Sequence, residues 1–197
     1  YENMQVLKNQ LGNQLHALNS GRGGLELVKK QLEELSASVG VQISVLNKEI
    51  LKVIRTDEKL QAKWKNVKDI CGIGELSFAV IVAETNGFEL FKNERQLTKY
   101  VGYDVVENQS GKRVGKTKIS KRGNAHIRRI LYMPALCAVK KKESIFAKLY
   151  ERVFEKTKIK MKGYVAVQRK LLTIIFHIWK KDTVFVENYK KEDLQRG

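Results

Sequence analysis

The stretch LELVKKQLEELSASVGVQISVLNKEILKV, residues 25–53, decides the fold class. Its apolar residues Leu25, Val28, Leu32, Leu35, Val39, Ile43, Leu46, Ile50 and Val53 recur at steps of three and four. That spacing keeps one face of a 3.6-residue helix apolar, while charged residues fill much of the other face. Upstream, Met4, Leu7, Leu11, Leu15 and Leu18 form a second stripe, and Ser20-Gly21-Arg22-Gly23-Gly24 breaks the chain between the two. Two long helices joined by a glycine-rich link either fold back as a hairpin or pair with another chain as a coiled coil. Gly40 and polar residues on the core side weaken a strict heptad, and both arrangements stay open.

Downstream, Trp64, Val67 and Ile70 lead into Cys71-Gly72-Ile73-Gly74. A helix is predicted from Leu76 to about Thr85, ended by Asn86-Gly87 with the usual left-handed C-terminal chemistry. A short helix is predicted over 94–100, a loop or short hairpin over 102–123, and helices over about 123–141, 144–156 and 162–181. Pro134 is the one proline, so long helices face little interruption. No run of alternating strands separates the helices. The expected fold is therefore mainly α: a long helical hairpin or coiled coil over 1–58, a compact helical domain over 59–181 and a polar tail over 182–197.

Lys and Arg number 38 against 21 Asp and Glu, a formal charge of +17 that repels itself in a compact state. Such an excess implies a polyanionic partner. Hydrophobic residues make up 43%, which excludes a disordered chain. A membrane partner fits poorly, because the most apolar stretch, Leu171 to Trp179, is short and flanked by Arg169, Lys170, Lys180 and Lys181. No secretory signal opens the chain, and the lack of an initiating Met suggests an excerpt of a longer protein. Cys71 and Cys137 have no metal-ligand spacing and read as buried small apolar residues of a reducing cytoplasm.

Gly72-Ile73-Gly74 between two helices is the pattern of a helix-hairpin-helix nucleic-acid module. The glycines strip side chains from a helix N-terminus, whose free N–H groups can hold a phosphate. From Lys112 to Arg129 there are eight Lys and Arg and no acid. Lys112, Arg113, Lys116, Lys118, Lys121, Arg122, Arg128 and Arg129, with Asn124 and the bare backbone at Gly111, suit a phosphodiester backbone. The stretch lacks the GxxxxGK[ST] spacing of a phosphate-binding loop, and a solvated basic loop is the alternative. Ser110 precedes a glycine and two cations that would favour its alkoxide, and Ser120 is similarly placed. By spacing alone Ser110 reads better as a hydrogen-bonding loop residue than as a nucleophile, and Ser120 carries the same ambiguity. His126 and Arg129 have the HxxR spacing of tyrosine recombinases, but the accompanying Arg, Lys and Tyr are not evident. Glu75, Glu84, Glu89, Asp104 and Glu107 are too scattered to form an obvious Mg²⁺ site.

The ordered set Gly72-Ile73-Gly74, Ala83-Glu84-Thr85-Asn86-Gly87-Phe88, Gln96-Leu97, Tyr100-Val101-Gly102-Tyr103, Gln109-Ser110-Gly111, Ile119-Ser120-Lys121-Arg122-Gly123-Asn124 and Arg128-Arg129 resembles the C-terminal domain of Piv/MooV-type insertion-sequence transposases. These recombinases are guided by a bridge RNA. The resemblance covers about residues 66–181, and the upstream helices resemble the family's coiled-coil linker. It implies a bacterial cytoplasmic DNA recombinase with a serine nucleophile, a covalent 5′-phosphoserine intermediate and a guide RNA. It also implies homo-oligomers through the N-terminal helices and Mg²⁺ held by an N-terminal RuvC-like domain. Ser110, in the Gln-Ser-Gly match, takes the nucleophile's place, with Ser120 as fallback. Nothing here resembles the RuvC-like domain, so this chain is expected to hold no cofactor and to be inactive alone. Two other readings remain: a non-catalytic helix-hairpin-helix binding module and a coiled-coil assembly protein.

Overall fold

A computed structural model of the chain describes residues 1–21, 26–106, 109–110, 113–114 and 118–187. It is mainly α-helical and divides into two compact units, Tyr1–Thr56 and Asp57–Gly197.

The first unit holds α1 (Glu2–Ser20) and α2 (Glu26–Thr56). Leu11 of α1 packs with Val39 and Ile43 of α2, and Tyr1, Met4 and Leu32 cover this small core. Leu11 and Val39 lie at similar distances along their helices from the connecting link, so the pair is an antiparallel hairpin within one chain. At 1.5 Å per residue α2 is about 46 Å long and α1 about 28 Å. The shorter helix cannot cover the longer one. The predicted stripe is therefore only partly buried: Val28, Leu35, Leu46 and Val53 remain exposed.

The second unit holds α3 (Glu58–Val67), α4 (Glu75–Thr85), α5 (Glu94–Val101), α6 (Ala125–Ile130), α7 (Tyr132–Lys140), α8 (Ile145–Thr157) and α9 (Lys160–Lys181). The apolar run within α9 forms the core of this unit: Leu171, Leu172 and Ile175 are fully buried. At its C-terminal end Trp179 meets Phe78 and Phe88, Phe88 also meets Phe176, and Trp64 meets Phe78. Toward its N-terminal end α9 approaches α8 so closely that a Cβ on Gly163 would strike the Tyr150 ring. Asn86 ends α4 in the left-handed conformation expected of it.

The single helix predicted over about 123–141 is two, α6 and α7, parted at Leu131. Pro134 explains the break. It has no N–H to give to the carbonyl of Ile130, and its ring would crowd that carbonyl in a continuous helix. It fits in the first turn of a new one. The expected polar tail also begins anchored: the Phe185 N–H donates to the Asn66 carbonyl and Lys141 pairs with Glu187 at 2.6 Å. Residues 188–197 lie outside the described residues.

Between α5 and α6 the chain forms nested antiparallel pairs. β1 (Val105–Val106) pairs with β4 (Lys118–Ile119), and β2 (Gln109–Ser110) pairs with β3 (Arg113–Val114). This is the short hairpin that the glycine- and lysine-rich composition allowed. Among the described residues no helix is long and apolar enough to cross a membrane.

Candidate nucleic-acid interface

The C-terminal turn of α5 and the segment that enters α6 lie against each other, main chain to main chain. The N–H groups of Ser120, Lys121 and Asn124 donate to the carbonyls of Asp104, Gly102 and Tyr100 at 2.9, 3.1 and 2.9 Å. Two glycines permit the approach. Gly102 has φ +77°, and a Cβ there would meet the backbone of Arg122; Gly123 has φ +148°, and a Cβ there would collide with the Tyr100 carbonyl. The four-residue stretch Tyr100–Tyr103 and the motif Ile119–Asn124, distant in sequence, are thus one structural joint. Ribbon strands β1 and β4 emerge from it.

Two site residues predicted to face nucleic acid hold this joint together. Asn124 caps α6 by accepting from the Ile127 N–H at 3.0 Å, and its amide donates to Glu84 on α4 and to the Tyr100 hydroxyl. Tyr100 donates in turn to the Glu84 carbonyl at 3.0 Å. The Arg128 guanidinium donates to the Val101 carbonyl at 2.6 Å and to those of Gly123 and Asn124 at 3.3 Å. A charged donor on a helix-end carbonyl stabilises by about 1.5–3 kcal/mol where partly buried.

Ser120 donates to the Asp104 carboxylate at 2.5 Å and accepts from the Arg122 N–H at 3.3 Å. Its hydroxyl closes a turn, beside a negative group that would repel an incoming phosphodiester. Asp104 was singled out only as a scattered acid; its partnership with Ser120 follows from the β1–β4 register, which composition does not reveal. Glu84, Tyr100, Tyr103 and Gln168 were likewise missed as partners. The Tyr103 hydroxyl donates to the Gln168 side-chain oxygen at 3.0 Å. Burial pushes that hydroxyl well above the usual tyrosine range, and the nearby Arg128 charge lowers it only in part.

Lys118, Lys121, Arg122 and Arg129 are exposed around the joint. Lys121 adopts φ +54°, a left-handed conformation that costs a non-glycine residue about 1–2 kcal/mol. The backbone of Ser110 pairs with that of Arg113 in the outer part of the ribbon. Gly111, Lys112 and Lys116 fall outside the described residues, as do the side chains of Ser110 and Arg113.

The turn before α4 divides its duties. Gly72, at φ +88°, is pressed against the backbone of Pro134, so packing within the domain demands this glycine. Ile73 is buried. Gly74 caps α4, and the space where its Cβ would stand is open. Among the described residues no three His, Cys, Asp or Glu side chains gather where they could hold a metal ion.

Residues 65–151 match the family model described as "Transposase IS116/IS110/IS902 family". Two curated relatives, each described as a pilin gene-inverting protein, come from Moraxella bovis and Moraxella lacunata. Each is 26% identical to this chain over 144 residues, 73% of this chain and 45% of the relative. The chain spans less than half the length of these relatives.

Proposed function

We propose, because residues 65–151 match the IS116/IS110/IS902 transposase family model, that this chain is the DNA-binding, serine-bearing part of a site-specific recombinase. The observation that carries the reading is the joint between residues 100–104 and 119–128. It anchors a two-tiered ribbon on a packed helical domain and leaves the cations Lys118, Lys121 and Arg122 exposed at its base. Ser110 lies on that ribbon. The engagement of Ser120 with Asp104 supports Ser110 as the nucleophile.

In this reading the Ser110 hydroxyl oxygen attacks a backbone phosphorus. A 5′-phosphoserine bond forms, and the 3′-oxygen of the cut strand leaves and takes up a proton. A 3′-hydroxyl of the partner strand then attacks the same phosphorus, and Ser110 leaves with its proton restored. Lys112, Arg113, Lys121 and Arg122 stabilise the charge that gathers on the phosphoryl oxygens. The open N-terminus of α4 at Gly74 takes a further backbone phosphate in the manner of a helix-hairpin-helix. Divalent-cation chemistry belongs to a RuvC-like domain outside these residues. A guide RNA selects the DNA, and the apolar face left uncovered on α2 pairs copies of the chain. The names of the curated relatives, which describe inversion of a gene, fit DNA rearrangement as the overall activity.

The test is strand exchange by the intact recombinase with Mg²⁺ and its cognate nucleic acids, comparing wild type, Ser110→Ala and Ser120→Ala. Ser110→Ala abolishes both the covalent protein–DNA adduct and the product while DNA binding is kept; Ser120→Ala still forms the adduct. A Ser110→Ala protein that forms the adduct removes Ser110 from the chemistry.

A further inference from the structure

A second basic feature lies beside the ribbon, in a place that the motif reading did not reach. A cleft of about 610 Å³ opens between α8, α9 and the β1–β4 pair. Lys118 of β4, Lys156 of α8 and Lys162, Arg169 and Lys170 of α9 line it, against one carboxylate, Glu94. Glu94 is engaged by His177 at 3.2 Å. Among the described residues, no carboxylate lies within ion-pairing distance of any of the five cations. Lys118, Lys156, Arg169 and Lys170 are exposed and Lys162 is half-buried. Between the cations the cleft wall is apolar, with Ile119 and Val165 among its residues.

Among the described residues these five cations have no carboxylate paired with them, and gathered in one concave site they raise the local potential and favour an anionic ligand. Their arrangement suits an extended anion rather than a small one. Lys162 and Arg169 are seven residues apart on one helix, about 11 Å, over which one strand of a B-form duplex presents about three phosphates. Lys156 and Lys118 approach from the other walls. The cleft is also tied to the ribbon. Strand β4 forms part of its wall, and the four residues from Val106 to Ser110 can span at most about 14 Å.

We propose that this cleft grips the phosphodiester backbone of duplex DNA next to the phosphate that reacts at the ribbon. The proposal rests on the recombinase reading and extends it from the ribbon to α8 and α9. Its cations bind backbone without reading bases, so they fix the position of the duplex rather than select its sequence.

The test is fluorescence anisotropy of a labelled DNA duplex titrated with the full 197-residue chain, at salt from about 50 to 200 mM. The triple variant Lys156→Gln, Arg169→Gln, Lys170→Gln changes only exposed side chains, and circular dichroism checks that it folds. Each lost phosphate contact lowers the slope of log affinity against log salt by about 0.9. The triple variant is therefore expected to lower it by about 2–3 and to weaken binding more than about tenfold at low salt. The double variant Lys121→Gln, Arg122→Gln serves as a comparison at the joint. If it weakens binding while the triple variant keeps the wild-type slope, the cleft proposal fails and the recombinase reading stands. If the wild-type chain binds no DNA, both fail. A stronger response to the triple variant with single-stranded RNA than with duplex DNA overturns the assignment of the cleft to DNA.

Discussion

Tyr103 shows how far a single residue can be read in advance. It is 1% exposed, and its hydroxyl is held by Gln168 in the interior. Burial disfavours its phenolate, so its folded-state pKa lies above the unfolded value of about 10. The contribution of the neutral hydroxyl to stability is complete below pH 10 and is lost as pH rises through the folded value. Tyr103→Phe is expected to be less stable than wild type at neutral pH, because Gln168 loses its donor, but to lose less stability per pH unit above 10. Chemical denaturation at several alkaline pH values checks this, and equal alkaline slopes would contradict it. At this scale the sequence marked Asn124, Arg128 and Ser120 as important but did not reveal the partners they hold within the domain. All three stand in a basic run, which reads as a phosphate surface. Yet Asn124 reaches back to Glu84 and Arg128 to Val101, and those partners are set by tertiary approach rather than spacing. The exposed Lys121 and Arg122 fit the charge-based reading better.

Elements were the most legible level. Apolar steps of three and four located α1 and α2, and short apolar runs located α4 and α9, because each buries apolar residues against a neighbour. The break between α6 and α7 was missed, although Pro134 carries the signal for it. The close contact of α8 with α9 was not foreseeable, since Gly163 near the start of α9 looks merely like a weak helix former. Its role is spatial: the Tyr150 ring occupies the position of the missing Cβ, and Tyr150 is itself packed on Tyr164. Gly163→Ala should therefore destabilise the domain by about 1–3 kcal/mol despite alanine's better helix propensity. A thermal melt of this variant beside Gly40→Ala is the informative comparison. Gly40 has only the Lys8 ammonium near its Cβ position, at 3.6 Å. Its replacement should stabilise α2 by up to about 1 kcal/mol. A rise in stability for Gly163→Ala would mean that α8 and α9 yield readily.

For the whole molecule, charge is the dominant quantity. The net +17 follows directly from the sequence, and it both repels itself and attracts DNA. Added salt screens both effects. Raising NaCl should increase the melting temperature of the free chain while weakening its complex with DNA. Two opposite trends in parallel titrations distinguish a basic DNA-binding protein from one whose cations are already neutralised internally. Where the charge concentrates was not legible. Lys118 belongs to the singled-out basic loop, but Arg169 and Lys170 stood out only as flanks of an apolar stretch, and Lys156 and Lys162 carried no signal of their own. Folding alone brings the five into a single cleft. The joint at the ribbon's base has a final consequence for how such proteins diversify. Its bonds between residues 100–104 and 120–124 run largely from amide to carbonyl, and the side chains of Lys121 and Arg122 take no part in them. A scaffold fastened through its main chain asks little of the side chain at Arg122, and at Lys121 asks only for a residue that tolerates a left-handed backbone. Descendants can exchange their contacts with new nucleic-acid targets there while inheriting the same frame unchanged.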